Sequence, residues 1–161
     1  MVDKEIVKRF LRDHELCKAL TASEIDTFLE YTQEVMFNKG DTIADIGEVG
    51  DALYLVLSGE VVLLADDGNE ELEVGRMRQG ELAGEMSFFD RQPRTVRLRA
   101  VKDDSHLLKL SREMYKRLRV EHPYIVVNLL EFAIVSLDHL VRRQSSDVAT
   151  FTKYLYGKGK K

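Results

Sequence analysis

The stretch GELAGEMSFFDRQPRTVRLRA, Gly80–Ala100, places a Gly-Glu pair, a short apolar turn, a Pro-Arg pair and an alternating strand within one loop's length. Its chemistry is that of an anion clasp. Arg94 offers a planar fork of N–H donors that stays charged at any physiological pH. Gly84 lets the backbone approach a ligand with no Cβ in the way. The turn Glu85-Met86-Ser87-Phe88-Phe89 can aim its amides at the same point, where a helix start favours negative charge. Glu85, acceptor-only when ionised, suits a sugar hydroxyl. Pro93 sets the direction in which Arg94 leaves the chain. The combination suits one phosphate and its attached sugar. Taken singly, Glu85 and Arg94 read better as a structural ion pair on a strand edge. Gly84 before the one and Pro93 before the other favour the joint site.

The surroundings of this loop have period two. From Glu34 to Leu110, short runs such as ALYLVLS, EVVLLA and TVRLRA are separated by glycines at positions 40, 47, 50, 59, 68, 75 and 80. Strands at that spacing, with turn signals between them, predict a sandwich or barrel. Asp66-Asp67-Gly68-Asn69 is a hairpin-turn signal, because Gly and Asn accept positive φ. Leu53–Ser58 and Val61–Leu64 are nearly continuous apolar runs, which places them deep in the core.

Helical periodicity flanks this region on both sides. Ile6, Val7, Phe10, Leu11, Leu16 and Leu20 predict a helix over 4–20. Thr21-Ala-Ser-Glu24 is a capping-box pattern that starts a second helix over about 22–32. After Leu110, Ser111 and Glu113 open a helix to about Val120, and Pro123 opens a longer one over 123–144. In that long helix Asn128, Glu131, Asp138 and Arg142 share one narrow stripe, and nearly everything else is apolar. Packing on a barrel from one side needs a narrower apolar arc. The excess predicts burial on two sides, against the barrel and against a second chain, and so a homodimer through residues 123–144. The other arrangement is a helix buried wholly within one protomer. Asn128, Glu131 and Asp138 argue against a membrane span.

Composition narrows the function classes. The chain has 161 residues, 44% of them hydrophobic and 32% charged, which fits one folded domain. Lys and Arg total 24 against 28 Asp and Glu, so the basic surplus expected of a nucleic-acid binder is missing. Four lysines (Lys153, Lys158, Lys160 and Lys161) gather near the C-terminus and read as a solvated tail. Cys17 is the only cysteine, which excludes an internal disulfide and a Cys-based zinc site. The N-terminal residues lack the apolar core of a signal peptide, and a cytoplasmic location is expected. His14, His106, His122 and His139 are scattered, so a metal-dependent enzyme on a related β-fold has no evident ligand set. No Ser-His-Asp, Cys-His or H-E-x-x-H arrangement is visible. The expectation is a non-enzyme with no catalytic residues, no metal and no cofactor. Asp103-Asp104 reads as a solvated turn.

With these residues in view, the chain resembles the cyclic-nucleotide-binding domain family of catabolite activator proteins, kinase regulatory subunits and gated channels. The resemblance covers about residues 20–144. GDTIADIGEVGDALYLVLSGEVVLL resembles the family's opening strands, with Gly40, Gly47, Gly50, Asp51 and Gly59 in the turns. GEMSFFDRQPRTVRLRA resembles its phosphate-binding cassette in length and in Gly84, Glu85, Pro93, Arg94 and Ala100. The fold it implies is mainly β with flanking helices (α+β). This is a double-stranded β-helix, or jelly-roll-like β-roll, of eight strands, with N-terminal helices and a long C-terminal helix. The expected organisation is an N-terminal helical segment 1–33, the β-roll 34–110 with its cassette 80–100, C-terminal helices 111–144 and a tail 145–161.

The implied ligand is a 3′,5′-cyclic nucleotide. By the resemblance Glu85 meets the ribose 2′-hydroxyl and Arg94 the cyclic phosphate. Gly84, Met86 and Ser87 supply backbone contacts, Thr95 a hydroxyl, and Leu63 and Val74 line the base and sugar pocket. Phe88 and Phe89 are bulkier than the family's usual aliphatics, and Val49 stands where Pro is frequent. Leu140 and Val141 stand where some relatives place hydroxyl side chains over the base. Apolar contact with the base is therefore expected, and cAMP is favoured over cGMP. The transcription factors of the family carry a helix-turn-helix module after the long helix. The 17 residues after Gln144 leave no room for one, so no DNA contact is expected. The implied role is a stand-alone, bacterial-like sensor whose output is an unidentified effector protein. The alternative is a β-roll that has lost its ligand and serves as a protein-interaction module.

Overall fold

The computed structural model describes residues 3–157. Helix α1, Lys4–Asp13, is capped by Asp3, whose carboxylate accepts from the Glu5 amide at 3.0 Å. It stops short of the helix expected over 4–20, because His14 turns extended and caps a separate 3-10 turn, Glu15–Cys17. The His14 ring accepts from the Leu16 amide through Nδ1 at 3.1 Å and donates to the Gly80 carbonyl through Nε2 at 2.6 Å. One side chain thus ends the first helix and ties it to the roll. Helix α2, Ala22–Glu30, starts at the expected capping box, with Thr21 and Glu24 bonded reciprocally.

Eight strands follow: β1 Gln33–Phe37, β2 Thr42–Ala44, β3 Ala52–Ser58, β4 Val61–Asp66, β5 Glu71–Met77, β6 Leu82–Ala83, β7 Arg97–Ala100 and β8 Ser105–Ser111. They form two four-stranded antiparallel sheets, in the orders β1-β8-β3-β6 and β2-β7-β4-β5. Their inner faces close on Ala52, Tyr54, Val56, Val61, Leu63, Leu98 and Leu107. The outer face of the first sheet, through Leu53, Leu55, Leu82, Leu108 and Leu110, packs against the helices. Strand β3 is therefore covered on both sides, which is why its sequence is apolar without alternation. The second sheet turns its outer face to water, where Arg97 pairs with Asp45 at 2.7 Å and Arg99 with Glu71 at 2.9 Å.

Helix α3, Glu85–Asp90, interrupts the strands between β6 and β7. Helix α4, Arg112–Glu121, begins at Ser111, whose hydroxyl accepts from the Met114 amide. Only His122 separates it from α5, Pro123–Tyr156. The expected boundary of α5 at residue 144 is corrected. No proline or glycine occurs between Tyr124 and Tyr156, so nothing in the chain stops the helix before Gly157. Residues 145–156 are helix rather than tail, and Lys153 lies in its last turn. Lys158, Lys160 and Lys161 lie outside the described residues.

Four residues of α5 are fully buried: Ile125, Val126, Leu129 and Ala133. Ile134, Val135, Val141, Val148, Phe151 and Leu155 are exposed. By length and composition α5 is apolar enough to cross a membrane, with a mean hydropathy of 1.7 over its most apolar 18 residues. Its first turns are instead part of the helical core around Leu16, Phe28 and Leu118.

Candidate functional site

The cassette is held at both ends by residues in the left-handed region. Gly84, at φ 86°, closes β6 and starts α3; Arg91, at φ 60°, ends it. At Gly84 this geometry needs a glycine. A Cβ there would also stand 3.3 Å from both terminal nitrogens of Arg94. Beyond α3 the chain is laced to the β2–β3 loop. Pro93 bridges Val49, the Arg94 amide donates to the Glu48 carbonyl at 2.8 Å, and the Gly47 amide donates to the Arg94 carbonyl at 2.8 Å. Bonds on either side of its Cα aim the Arg94 side chain inward, where it is 7% exposed. Its guanidinium donates to the Gly84 carbonyl at 3.5 Å, leaving most of the fork uncommitted to protein.

Gly50 completes this wall by close approach. Its amide donates to the Ser87 hydroxyl at 2.7 Å, and that hydroxyl donates to the Gln92 carbonyl at 2.6 Å. The Ser87 side chain is thereby spent on structure, leaving its backbone for any ligand.

Glu85 is 5% exposed. Among the described residues no other residue's hydrogen bond or ion pair engages its carboxylate, which meets only its own backbone amide, and it forms no ion pair with Arg94. The arrangement is therefore not a structural ion pair. Burial raises the Glu85 carboxyl above its ordinary range; its own backbone amide and the charge of Arg94 oppose the rise, and Glu81 adds to it. A raised carboxyl means that the folded state holds the proton more tightly than the unfolded chain. Its stabilising share is complete below the ordinary value of 4.5 and is lost as pH rises through the folded value. At neutral pH the ionised group costs stability. Glu85→Gln should raise the melting temperature of the ligand-free protein at pH 7, with a gain that shrinks toward about pH 4. Melting curves at the two pH values check this; an unchanged or lower value at pH 7 would contradict it.

These side chains border a cavity of about 160 Å³ lined by Leu63, Met77, residues 84–87, Pro93, Arg94, Thr95 and Leu140. A larger groove of about 670 Å³ adjoins it, between the roll and α5, and shares Met77, Glu85 and Leu140 as walls. Gly84, Glu85, Met86, Ser87, Arg94, Thr95 and Leu63 are thus brought together.

Val74 is not among them. Leu63 pairs with Gly75 and Leu64 with Glu73, so Val74 is the extra residue of a β-bulge, 50% exposed and outside the lining. Met77 takes a place in the wall that the sequence reading did not assign, since the bulge shifts the alternation of β5 by one residue. Leu140 lines both spaces as expected, while Val141 is exposed and lines neither. Among the described residues, no group of three or more His, Cys, Asp and Glu side chains is placed to hold a metal ion.

The cavity has an uncommitted guanidinium on one wall and a carboxylate without a side-chain partner on another, beside a groove that mixes Phe132, Val135 and Leu140 with Glu81, Glu131 and Arg143. Similarity to known proteins agrees with that chemistry. The family model for the cyclic nucleotide-binding domain matches residues 34–122. The cyclic AMP receptor protein of Thermus thermophilus is 37% identical over 120 residues, covering 74% of this chain and 55% of that protein. Lysophospholipase nte1 of Aspergillus fumigatus is 34% identical over 120 residues but is covered over only 8% of its length. The chain thus spans about half of one relative and a small part of the other.

Among solved structures, the Thermus thermophilus catabolite activator protein superposes with a TM-score of 0.69 at 34% identity, over 86% of this chain and 64% of that one. A cyclic nucleotide-binding domain from Methylobacillus flagellatus shares the fold with a TM-score of 0.79 at 23% identity, over 92% of this chain and 83% of that one. Residues 34–122 hold the roll, the cassette and the helix that follows them. On that match, and on the identity with the Thermus protein, the chain belongs to the cyclic nucleotide-binding domain family.

Proposed function

We propose that the chain is a regulatory, non-catalytic domain that binds a 3′,5′-cyclic nucleotide, cAMP in preference to cGMP, and passes the bound state to an effector through α5. One observation carries this reading: Glu85 and Arg94 are both buried on one cavity, yet neither is paired with the other. A cyclic phosphate supplies the anion that Arg94 lacks, and the ribose 2′-hydroxyl a donor for Glu85. Met86 and Ser87 add backbone amides and Thr95 a hydroxyl. The base lies against Leu63, Met77 and Leu140, in surroundings that give adenine apolar cover. Each hydrogen bond to a charged group contributes about 1.5–3 kcal/mol. Two or three of them with base burial support an affinity of roughly micromolar order. Calorimetric titration with cAMP and cGMP tests the proposal. Binding is expected with both and more tightly with cAMP; no heat with either would refute it.

The exposed side of α5 supports a homodimer. Val127, Ile134, Val141, Val148 and Leu155 recur every seven residues, and Leu130, Leu137, Gln144 and Phe151 follow the first four by three, Leu130 being partly packed on its own chain's core. β-Branched residues at the first position with Leu at the second favour a parallel two-stranded coil. This seam runs past the expected limit at residue 144 to the end of the helix. Ile134 is 66% exposed in one protomer. Ile134→Glu should therefore leave the monomer folded and convert the dimer to monomer in sedimentation experiments. An unchanged profile would count against the coil.

A further inference from the structure

Arg112 lies outside the cavity and in none of the expected contacts, yet it joins two parts that back the phosphate wall, the loop at residues 50–51 and helix α3 at Phe88. Its guanidinium donates through Nη2 to the Phe88 carbonyl at 2.6 Å and also to the Gly50 carbonyl. Its Cζ lies 4.5 Å over the centre of the Phe88 ring. Its own amide donates to the Asp51 carbonyl at 2.8 Å. Phe88 is fully buried, and its ring meets Tyr115, one turn along α4, edge-on at 5.3 Å.

The Phe88 carbonyl is one of the orphan acceptors in the last turn of α3, where a cation is favoured. Gly50 is the residue whose amide holds Ser87 and whose missing Cβ gives room to Phe88 and Arg94. One side chain at the first residue of α4 thus fastens α3 to the loop beside it.

We infer that Arg112 is a positioning residue for the nucleotide site: it locks α3 and residue 50 into the geometry that presents Arg94, and it couples any shift of α3 to α4. The inference rests on the proposed nucleotide binding but uses residues that do not touch the ligand. A planar, always-charged fork is what the arrangement uses, since it bonds carbonyls at its edge while its face covers a ring. Lysine supplies the charge and donors but not the flat face. Because α4 leads through His122 alone into α5, the same clamp joins the cassette to the long helix.

The test compares the full chain with Arg112→Gln and Arg112→Lys. Three quantities are read: cAMP affinity by calorimetry, amide hydrogen exchange of residues 85–91, and exchange in α4 with and without cAMP. Arg112→Gln should weaken cAMP binding by about 10-fold or more, the effect of losing hydrogen bonds from a charged donor. Exchange of residues 85–91 should speed up while β3 and β8 exchange as in the parent. The slowing of α4 exchange on adding cAMP should be seen in the parent and lost in the variant. Arg112→Lys should fall between the two, and it keeps the comparison open if Arg112→Gln fails to fold.

A merely structural role would alter β3 and β8 along with the cassette and leave the ligand effect on α4 intact; that result overturns the inference. Parent-like affinity together with parent-like exchange at residues 85–91 overturns it too. If the parent binds no cyclic nucleotide, the functional proposal fails by itself, and exchange at residues 85–91 still decides whether Arg112 holds the cassette.

Discussion

Arg94→Ala should weaken cyclic-nucleotide binding by about 2–5 kcal/mol, roughly thirty- to several-thousand-fold, because it removes the cation facing a phosphate out of bulk water. The ligand-free fold should change little. The two backbone hydrogen bonds that anchor residue 94 to Gly47 and Glu48 do not involve the side chain, and the guanidinium has no carboxylate partner whose loss would be felt. Alanine also removes a buried charge, which offsets part of the lost packing. Calorimetry with cAMP and a ligand-free melting curve separate the two effects. Arg94→Lys, which keeps the charge without the fork, should recover only part of the affinity. An Arg94→Ala protein that binds as tightly as the parent would remove the basis of the functional proposal.

Gly50→Ala should damage both fold and binding, although residue 50 lies outside the cavity lining. The added Cβ would stand 2.6 Å from the Phe88 nitrogen and 2.8 Å from the Ser87 carbonyl carbon, both backbone atoms of α3, and 3.0 Å from an Arg94 terminal nitrogen. Side chains yield to such crowding by changing rotamer; backbone in a helix yields only by moving as a piece. Overpacking of this kind costs about 1–3 kcal/mol, and at this chain length about 2–4 °C of melting temperature for each kcal/mol. The displaced helix would also carry Glu85 and the amides of Met86 and Ser87 away from Arg94, so affinity should fall beyond the loss of stability. Melting curves with and without cAMP measure both. A variant with parent-like melting and affinity would show that loop and cassette are not rigidly joined.

The parts of the site that were legible in the sequence are those where one residue type answers one local demand. Gly84 meets a left-handed backbone, Pro93 directs Arg94, and Thr21 with Glu24 starts a helix; each works within a few residues of chain. The unalternating run of β3 was legible because cover on both faces leaves no polar positions. Val74 was misplaced because a one-residue bulge opposite Leu63 reverses which side of β5 faces inward, and no local composition marks it. The break at His14 depends on a carbonyl 66 residues away, at Gly80. The extent of α5 was missed because its last turns lack the buried stripe used to recognise it. Arg112 was invisible for a related reason: its partners, residues 50, 51 and 88, are distant in sequence, and its own position reads as an ordinary first-turn residue.

The reach of α5 has a mechanical consequence. Its 34 residues extend about 51 Å at 1.5 Å per residue. All of its fully buried residues fall within the first eleven, Pro123 to Ala133. The helix is thus anchored by its first three turns and runs on from them as a long arm, which under the proposed function would act as a lever. A tilt of about 10° about its anchored end sweeps the far tip through roughly 9 Å over such a length. Leu140, which lines the cavity about halfway along, would move roughly half as far, so a rigid tilt of the helix and the shape of the cavity are geometrically tied.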